Sequence, residues 1–258
     1  MFESRFTGGD DNRFPELARL NAKAILANTP AAVRAAQQLS PPIPVVMTLM
    51  NDPVGAGLIS SLARPGNHTT GTANLNEDIT PKVLEFIREI LPKARKVVVL
   101  YNPQNSTHAA ILKNLLSKSS GGSFALIPLQ LRPRDNLDAL FSNIAAEQLD
   151  ALQLLGDPAI ADLRDRLARL ALAQGLPLFS TSSIVTEAGG LLSYSAPVNK
   201  LLSRTGYYVR RILDGADPSE LPVEQPTEVV LLINMKTARA LNLEIPASLL
   251  GRADQVIE

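Results

Sequence analysis

The chain has 258 residues, of which 45% are apolar, so its length allows one large domain or two small ones. Lysine plus arginine and aspartate plus glutamate each number 25, and no excess of positive charge favours nucleic acid or an anionic membrane. The absence of cysteine excludes disulfides, thiolate metal sites and a cysteine nucleophile.

Short apolar strands alternate with helical stretches before residue 75. The run Val45–Leu49 is too short for a helix and ends at Asn51-Asp52-Pro53, so it predicts a buried strand that runs into a polar turn. The complete set predicted here comprises strands at Phe2–Phe6, Ala24–Ala27, Val45–Leu49 and Thr70–Asn74, a helix around Pro15–Leu20, an Ala-rich helix ending at Gln38, and a helix at Val54–Leu62.

The middle of the chain repeats the same unit more regularly. Apolar stripes at helical spacing, such as Val83, Leu84 and Ile87, separate short buried strands. The predicted strands are Lys96–Tyr101, Phe124–Leu129, Ala151–Leu155 and Pro177–Phe179. Strands and helices that alternate in this way predict an α/β fold with a parallel sheet covered on both faces.

The last quarter departs from this rhythm. An extended stretch Leu191–Tyr194 is followed by a helix at Leu201–Leu213, a strand at Val229–Ile233 and a short helix at Lys236–Leu241. Three extended segments are suited to carry the chain between two lobes, namely Thr70–Asn74, Leu191–Ser195 and Pro222–Thr227. We therefore predict two α/β lobes joined by three crossovers.

Polar and mostly uncharged side chains directly follow the predicted strands. They are Asn28-Thr29, Asn51-Asp52, Asn102, Gln130, Asp157 and Thr181-Ser182-Ser183. Ligands bind open α/β sheets at the carboxyl ends of the strands, and free helix N-termini there favour an anionic group. The set predicts a site for a polar ligand whose ammonium, if present, Asp52 or Asp157 would balance. The alternative is that each residue only caps a helix or a turn.

The sequence does not indicate catalysis or cofactor binding. His68 and His108 lie on different units without a partner at metal or triad spacing, and no G-x-S-x-G elbow or phosphate-binding G-x-x-x-x-G-K-[ST] loop occurs. Gly55-Ala56-Gly57 lacks the third glycine and the later acid of a dinucleotide fingerprint, and we interpret it as a close helix–strand contact. We expect no cofactor and no metal.

Several stretches together resemble a known family of transport proteins. They are NDPVGAGLISSLARPG with TGTANLN, KVVVLYNPQN, EAGGLLSYS, and LPVEQPTEVVLLINMKTARALNLEIPASLLGRADQVIE. In these motifs, and along nearly its whole length, the chain resembles the substrate-binding proteins of ATP-binding-cassette importers, in the branch that is similar to tryptophan- and tyrosine-binding proteins.

The resemblance implies a type I periplasmic binding protein fold, with two flavodoxin-like lobes and the ligand in the cleft between them. It implies a first lobe of residues 1–75 plus 195–222 and a second of residues 76–194 plus 223–258. By this resemblance the ligand-binding residues are Asn28, Thr29, Pro30, Asn51, Asp52 and Asn74 on the first lobe and Asn102, Asp157 and Tyr194 facing them. For an aromatic amino acid, Thr29 would receive the carboxylate and Asp52 the ammonium.

The chain departs from the family pattern in three places. Ala22-Lys23-Ala24 stands where the family has an apolar strand with an aspartate, and Asn242 stands where a glycine is usual. Family members begin with an export signal and a further strand and helix, whereas the polar start MFESRFTGGDDNRF has no apolar export segment. We therefore expect an N-terminally truncated first lobe that is the less stable one and whose site around Asn28 is loosened. We also expect a chain that is periplasmic or lipid-anchored by resemblance and cytoplasmic unless an upstream start restores the signal.

Three functions remain open at this point. The leading one is a non-enzymatic receptor that delivers a small polar solute to the permease subunits of an importer. The second is a two-lobe isomerase that uses Asp52 and Asp157 as acid and base, which requires at least one raised pKa. The third is the sensor lobe of a regulator, although no basic patch or DNA-binding helix pair accompanies it.

Overall fold

The computed structural model describes residue 19 and residues 21–119 and 124–258. The predicted strand Phe2–Phe6 and, apart from Arg19, the predicted helix Pro15–Leu20 lie outside these residues. The chain divides into two compact units, one of Met1–Leu75 with Pro197–Thr227 and one of Asn76–Ala196 with Glu228–Glu258.

Ten strands and nine α-helices are numbered here in chain order over the described residues. The strands are β1 Ile25–Ala27, β2 Val45–Asn51, β3 Thr69–Asn74, β4 Lys96–Tyr101, β5 Ala125–Gln130, β6 Ala151–Leu154, β7 Leu178–Ser180, β8 Leu192–Ser195, β9 Val230–Asn234 and β10 Gln255–Ile257. The helices are α1 Pro30–Gln37, α2 Asn76–Ile90, α3 Ser106–Ser119, α4 Leu137–Ala145, α5 Arg164–Ala173, α6 Ser183–Glu187, α7 Val198–Leu213, α8 Met235–Ala240 and α9 Ala247–Leu250. Two 3-10 helices, Pro158–Leu163 and Pro218–Glu220, complete the set.

The first unit is a parallel sheet between helices. Its described strands pair in the order β1-β2-β3, all parallel. Alternate residues of β2 face opposite sides, with Val45 and Met47 packed against α1 while Val46 packs against Tyr208 and Ile212 of α7. The period of two that a strand imposes on its side chains therefore decides which helix each residue touches.

Strand β2 contains a bulge close to its carboxyl end. The pairing with β3 shifts between Met47 and Met50, and Leu49 has a positive φ of 55°. The displaced backbone groups of Leu49 find side-chain partners, because its N–H donates to Thr72 Oγ1 at 3.1 Å and its carbonyl accepts from Asn74 Nδ2 at 2.8 Å. The bulge thus orients the two residues that follow it in β2.

The segment that follows α7 within the first unit lies beside β3. Ala73 N–H donates to the Glu224 carbonyl at 2.8 Å, and Glu224 N–H donates to the Gly71 carbonyl at 3.1 Å. The Arg204 guanidinium of α7 pairs with both carboxylate oxygens of Glu224 and lies 4.0 Å from the centre of the Tyr207 ring. These hydrogen bonds to Arg204 hold the pKa of Glu224 below its usual value.

The second unit is built around a seven-stranded sheet in the order β10-β9-β8-β7-β6-β4-β5. Val97 and Val99 of β4 pack against α2 and α3 on one face, whereas Val98 and Leu100 pack against α4 and α5 on the other. The predicted α/β fold with a parallel sheet covered on both faces is confirmed. One pair, β8 with β9, is antiparallel. The chain leaves this unit after β8 and returns at Glu228. Because no direct helical crossover joins β8 to β9, the two strands need not be parallel.

The predicted helix at Val54–Leu62 is wrong, because the chain there forms a single helical turn that ends at Gly57. Gly57 N–H donates to the Val54 carbonyl and Leu58 N–H to the Pro53 carbonyl, both at 2.9 Å, and Gly57 has a φ of 66°. This is the hydrogen-bond pattern with which helices end at a left-handed residue. The interpretation of Gly55-Ala56-Gly57 as a helix–strand contact is also wrong, since a Cβ at Gly57 would meet nothing within 4 Å.

The same ending recurs at α8 with asparagine in place of glycine. Asn242 has a φ of 53°, its N–H donates to the Arg239 carbonyl at 3.1 Å, and Leu243 N–H donates to the Ala238 carbonyl at 2.9 Å. Asparagine tolerates the left-handed conformation better than other residues with a side chain. The departure at Asn242 therefore leaves the helix ending intact. Among the described helices, none combines the length and apolar composition needed to cross a membrane.

Gly71 offers a test of the close pairing between β2 and β3. Its φ is 131°, and a Cβ there would lie 2.1 Å from the Met47 carbonyl oxygen. We expect Gly71→Ala to lower the free energy of unfolding by about 2–4 kcal/mol, because the methyl group must push the strands apart. Urea unfolding measures it. Gly206→Ala is the control, since its Cβ meets nothing within 4 Å in the middle of α7 and should add about 0.5–1 kcal/mol. Equal stability of the two variants would contradict the close approach.

Candidate functional site

The carboxyl end of β1 leads directly into α1. Asn28 is exposed, and Thr29 has extended backbone and caps the helix, its Oγ1 accepting from Ala32 N–H at 3.2 Å. Pro30 is the first residue of α1, where its fixed φ suits a helix start and its missing N–H leaves no donor unsatisfied. The cap leaves the Thr29 hydroxyl hydrogen able to donate, so this end of the first unit presents a hydroxyl donor and a helix N-terminus together.

Asp52 follows β2 and closes the turn that replaces the predicted helix. It is exposed, has a φ of 30°, and its Oδ1 accepts from Gly55 N–H at 2.9 Å. A Cβ at Gly55 would lie 1.8 Å from the other carboxylate oxygen, so only glycine leaves room for this arrangement. The carboxylate therefore caps its own loop and faces solvent with one oxygen already engaged.

Helix α1 holds the Asp52 loop in place. Arg34 donates from Nη2 to the Ala56 carbonyl at 2.8 Å, and Gln37 donates from Nε2 to the Leu58 carbonyl at 2.7 Å. At the sheet itself, Asn51 and Asn74 are paired across β2 and β3, and Asn51 is buried. The structure brings the six predicted residues of the first unit to one edge of its sheet.

The second unit has a different kind of carboxylate after β6. Asp157 is only 8% exposed, and its Oδ1 accepts from Ala159 N–H at 2.7 Å. Its Oδ2 accepts from two side-chain amides, Asn102 Nδ2 at 3.1 Å and Asn105 Nδ2 at 2.9 Å. None of the lysines and arginines that the structure describes lies within 4.0 Å of this carboxylate. The charge is therefore held by hydrogen bonds from neutral donors.

Asn105 was not predicted as a site residue, and the structure places it in this cluster. Its Oδ1 accepts from Thr107 N–H at 3.1 Å at the start of α3, while its amide donates to Asp157. Asn102 likewise accepts from Gln104 N–H at 3.0 Å. The recurrence of asparagine three residues after Asn102 was the available signal, since both residues lie in the loop after β4.

His108 was predicted to have no metal or catalytic partner, and the structure gives it a structural one. The imidazole is 0% exposed, and its Nδ1 accepts from Asn102 N–H at 3.0 Å. Its Nε2 lies 3.2 Å from the Gly156 carbonyl and 3.8 Å from Asp157 Oδ2. Burial lowers the pKa of His108 and outweighs the nearby carboxylate, which raises it. The ring is thus neutral near pH 7.

The remaining predicted residues do not hydrogen-bond to the Asp157 carboxylate. Tyr194 is half-buried, and its ring meets Phe86 of α2 edge to face with 5.4 Å between ring centres. Thr181 Oγ1 accepts from Gly156 N–H at 3.1 Å, and Gln130 accepts from Arg132 at 2.6 Å. Among residues 19, 21–119 and 124–258, no group of three or more histidine, aspartate and glutamate side chains is arranged to hold a metal ion.

Comparison with known families and relatives agrees over most of the chain. A family model described as ABC transporter substrate binding protein matches residues 20–257. The tyrosine-binding protein of Clostridioides difficile (strain R20291) is 26% identical over 218 residues, which cover 84% of this chain. The match spans 62% of the length of that relative.

Solved structures show the same fold. A conserved domain protein from Vibrio cholerae O1 biovar eltor is similar with a TM-score of 0.84 and 26% identity, covering 95% of this chain and 82% of its own. An ABC domain from Streptococcus pneumonia in complex with L-Trp is similar with a TM-score of 0.83 and 22% identity, covering 96% of this chain and 83% of its own.

The hydrogen bonds around Asp157 predict a measurable stability cost. Asp157→Asn replaces a charged acceptor of three hydrogen bonds with an amide that presents one oxygen, so we expect about 1–3 kcal/mol less free energy of unfolding at pH 7. Thermal or urea unfolding measures it. Asp165→Asn is the matched control, because the Asp165 side chain is 64% exposed and pairs only loosely with Arg164 at 3.8 Å. If both variants lose the same stability, the cluster is not the anchor described here.

Proposed function

Because the chain belongs to the family of ABC transporter substrate-binding proteins, we propose that it is the solute-binding component of an ABC importer and that its solute is an amino acid, aromatic by preference. The family is one of binding proteins, and we propose that this chain binds its solute without transforming it. Permease subunits are its proposed protein partners, outside the cytoplasmic membrane.

The environment of Asp157 is the observation that supports an amino acid, rather than a neutral molecule, as the solute. A buried carboxylate is costly unless it is paired or hydrogen-bonded, and here neutral amides hold it without a described lysine or arginine nearby. An ammonium group is the ligand group that best completes such a carboxylate. We therefore assign the ammonium to Asp157, with Asn102 and Asn105 fixing the direction of its oxygens.

Thr29 and the N-terminus of α1 are the groups of the first unit that suit an anionic ligand group. The Thr29 hydroxyl can donate while its oxygen caps the helix, and the first backbone N–H groups of α1 favour negative charge. Asp52, on the same edge, is the alternative partner of the ammonium. Its carboxylate is exposed, and solvent screens a charge in that position.

The aromatic preference comes from the relatives. The Clostridioides difficile relative is a tyrosine-binding protein, and the Streptococcus pneumonia domain is in complex with L-Trp. Tyr194, whose ring packs against Phe86, is the aromatic residue of this chain that we assign to contact with the solute side chain.

A thermal-shift series with L-tyrosine and L-tryptophan tests the proposed function. A ligand present at one hundred times its dissociation constant adds about 2.7 kcal/mol to the folded state, so we expect a concentration-dependent rise in melting temperature. D-tryptophan and indole serve as controls, since the first misplaces and the second lacks the ammonium and carboxylate groups. No shift with any amino acid would contradict the proposal, and recovery of an altered compound would favour the isomerase instead.

Substitution of the two aspartates separates the roles of cap and ligand contact. We expect Asp52→Ala to cost about 1 kcal/mol of stability and little affinity, as the loss of a local cap does. Asp157→Asn should weaken amino-acid binding much more than Asp52→Ala, since it removes the buried charge that meets the ammonium. Calorimetric titration of both variants at pH 7 measures this. The reverse order of affinities would assign the ammonium to Asp52.

A further inference from the structure

His108 connects two loops that are far apart in the sequence. Its Nδ1 accepts from the backbone N–H of Asn102 in the loop after β4, and its Nε2 faces the Gly156 carbonyl in the loop after β6. Since a ring nitrogen that accepts from an N–H carries no hydrogen, Nδ1 must be unprotonated. The hydrogen is then on Nε2, where the Gly156 carbonyl accepts it. The contacts allow one tautomer of the neutral ring.

The same two loops carry the residues assigned to the ammonium. Asn102 and Asn105 follow β4, whereas Asp157 directly follows Gly156. Any change in the separation of Asn102 N–H from the Gly156 carbonyl moves the amides relative to the carboxylate that they hold. A rigid ring that bridges both backbone groups keeps this separation constant.

We propose that His108 is a positioning residue for solute binding, whose neutral Nε2–H tautomer locks the loops after β4 and β6 so that Asn102 and Asp157 stay in register. The role in solute binding rests on the proposed function. The tautomer and the bridge rest on the geometry of the second unit alone.

The bridge makes binding depend on pH in a stated direction. Protonation places a hydrogen on Nδ1, which then faces the Asn102 N–H across 3.0 Å, so donor meets donor and the bridge breaks. The only side-chain charge that acts on the pKa of the ring among the described residues is that of Asp157, and no charge of α2, which packs along α3, contributes. Because burial lowers this pKa, folding favours the neutral ring. The contribution of His108 to the free energy of unfolding is complete above the unfolded-state pKa of 6.5. It declines as the pH falls from there through the lowered pKa of the folded state.

Two variants that do not titrate each retain one of the two hydrogen bonds made by the His108 ring. His108→Asn can place its oxygen near the former Nδ1 and still accept from Asn102 N–H, but it cannot reach Gly156. His108→Gln can reach the Gly156 carbonyl with its amide, but it leaves Asn102 N–H without its acceptor. His68→Gln is the matched control, since His68 is exposed, lies in the first unit and is the only other histidine of the chain.

The first experiment needs no ligand. In His68→Gln protein, long-range proton–nitrogen correlation spectra report one histidine, and we expect the neutral Nε2–H pattern at pH 7 with a pKa below 6.5. Hydrogen exchange at the backbone N–H of Asn102 should be slow in the wild type and in His108→Asn and fast in His108→Gln. A hydrogen on Nδ1 at neutral pH, or equal protection in all three proteins, would overturn the proposal.

The second experiment measures binding of L-tyrosine and L-tryptophan from pH 5 to pH 8. Wild type and His68→Gln should lose affinity towards the acidic end of this range, as the pH falls through the lowered pKa of His108, whereas both His108 variants should have a flat profile. At pH 7, His108→Gln should bind about tenfold more weakly than His108→Asn, because a buried N–H has lost its acceptor. Equal affinities, or a pH profile unchanged in the variants, would overturn the role in binding. If the spectra are as expected but no protein binds either amino acid, the proposed function fails, and the role in binding fails with it while the bridge stands.

Discussion

The parallel pairing of strands is the constraint on which both units depend. It brings the carboxyl ends of the strands to one edge of each sheet, where the chain must turn and start the next helix. The backbone groups freed at that edge need partners, and the side chains of Thr29, Asp52, Asn105 and Asp157 supply them. Residues that bind and residues that cap are therefore of the same types at the same places.

Strands buried on both faces were predictable from the sequence because they must be continuous apolar runs. The predicted strand Lys96–Tyr101 coincides with β4, which pairs on both sides and packs against helices on both faces. The stretch Val54–Leu62 was not predictable in this way, since its apolar residues fit a helix while Gly57 ends the turn after a single round of hydrogen bonds. Antiparallel pairing of β8 with β9 depends on where the chain returns from the other unit, which no local pattern records.

For the candidate site, position was predictable and partnership was not. Strand ends identified Asn102 and Asp157 without indicating that the amide of one donates to the carboxylate of the other, because the two residues are far apart in sequence. His108 has no recognisable partner along the chain. Its bridging contacts form only because α3 places the ring between two loops. Spacing signals find groups that share one helix or loop, and this cluster is assembled from two separate stretches of the chain, residues 102–108 and 156–157.

Asp52 and Asp157 show how environment separates two residues of the same type at the same topological position. Asp52 holds its own turn and is exposed, so water already stabilises its charge and a ligand must displace that water. Asp157 is buried, and three donors fix the direction of its oxygens. The free-energy cost of burying and orienting this carboxylate therefore arises on folding and not on ligand binding. A cationic group arriving at Asp157 therefore gains more from the same Coulomb attraction than one arriving at Asp52.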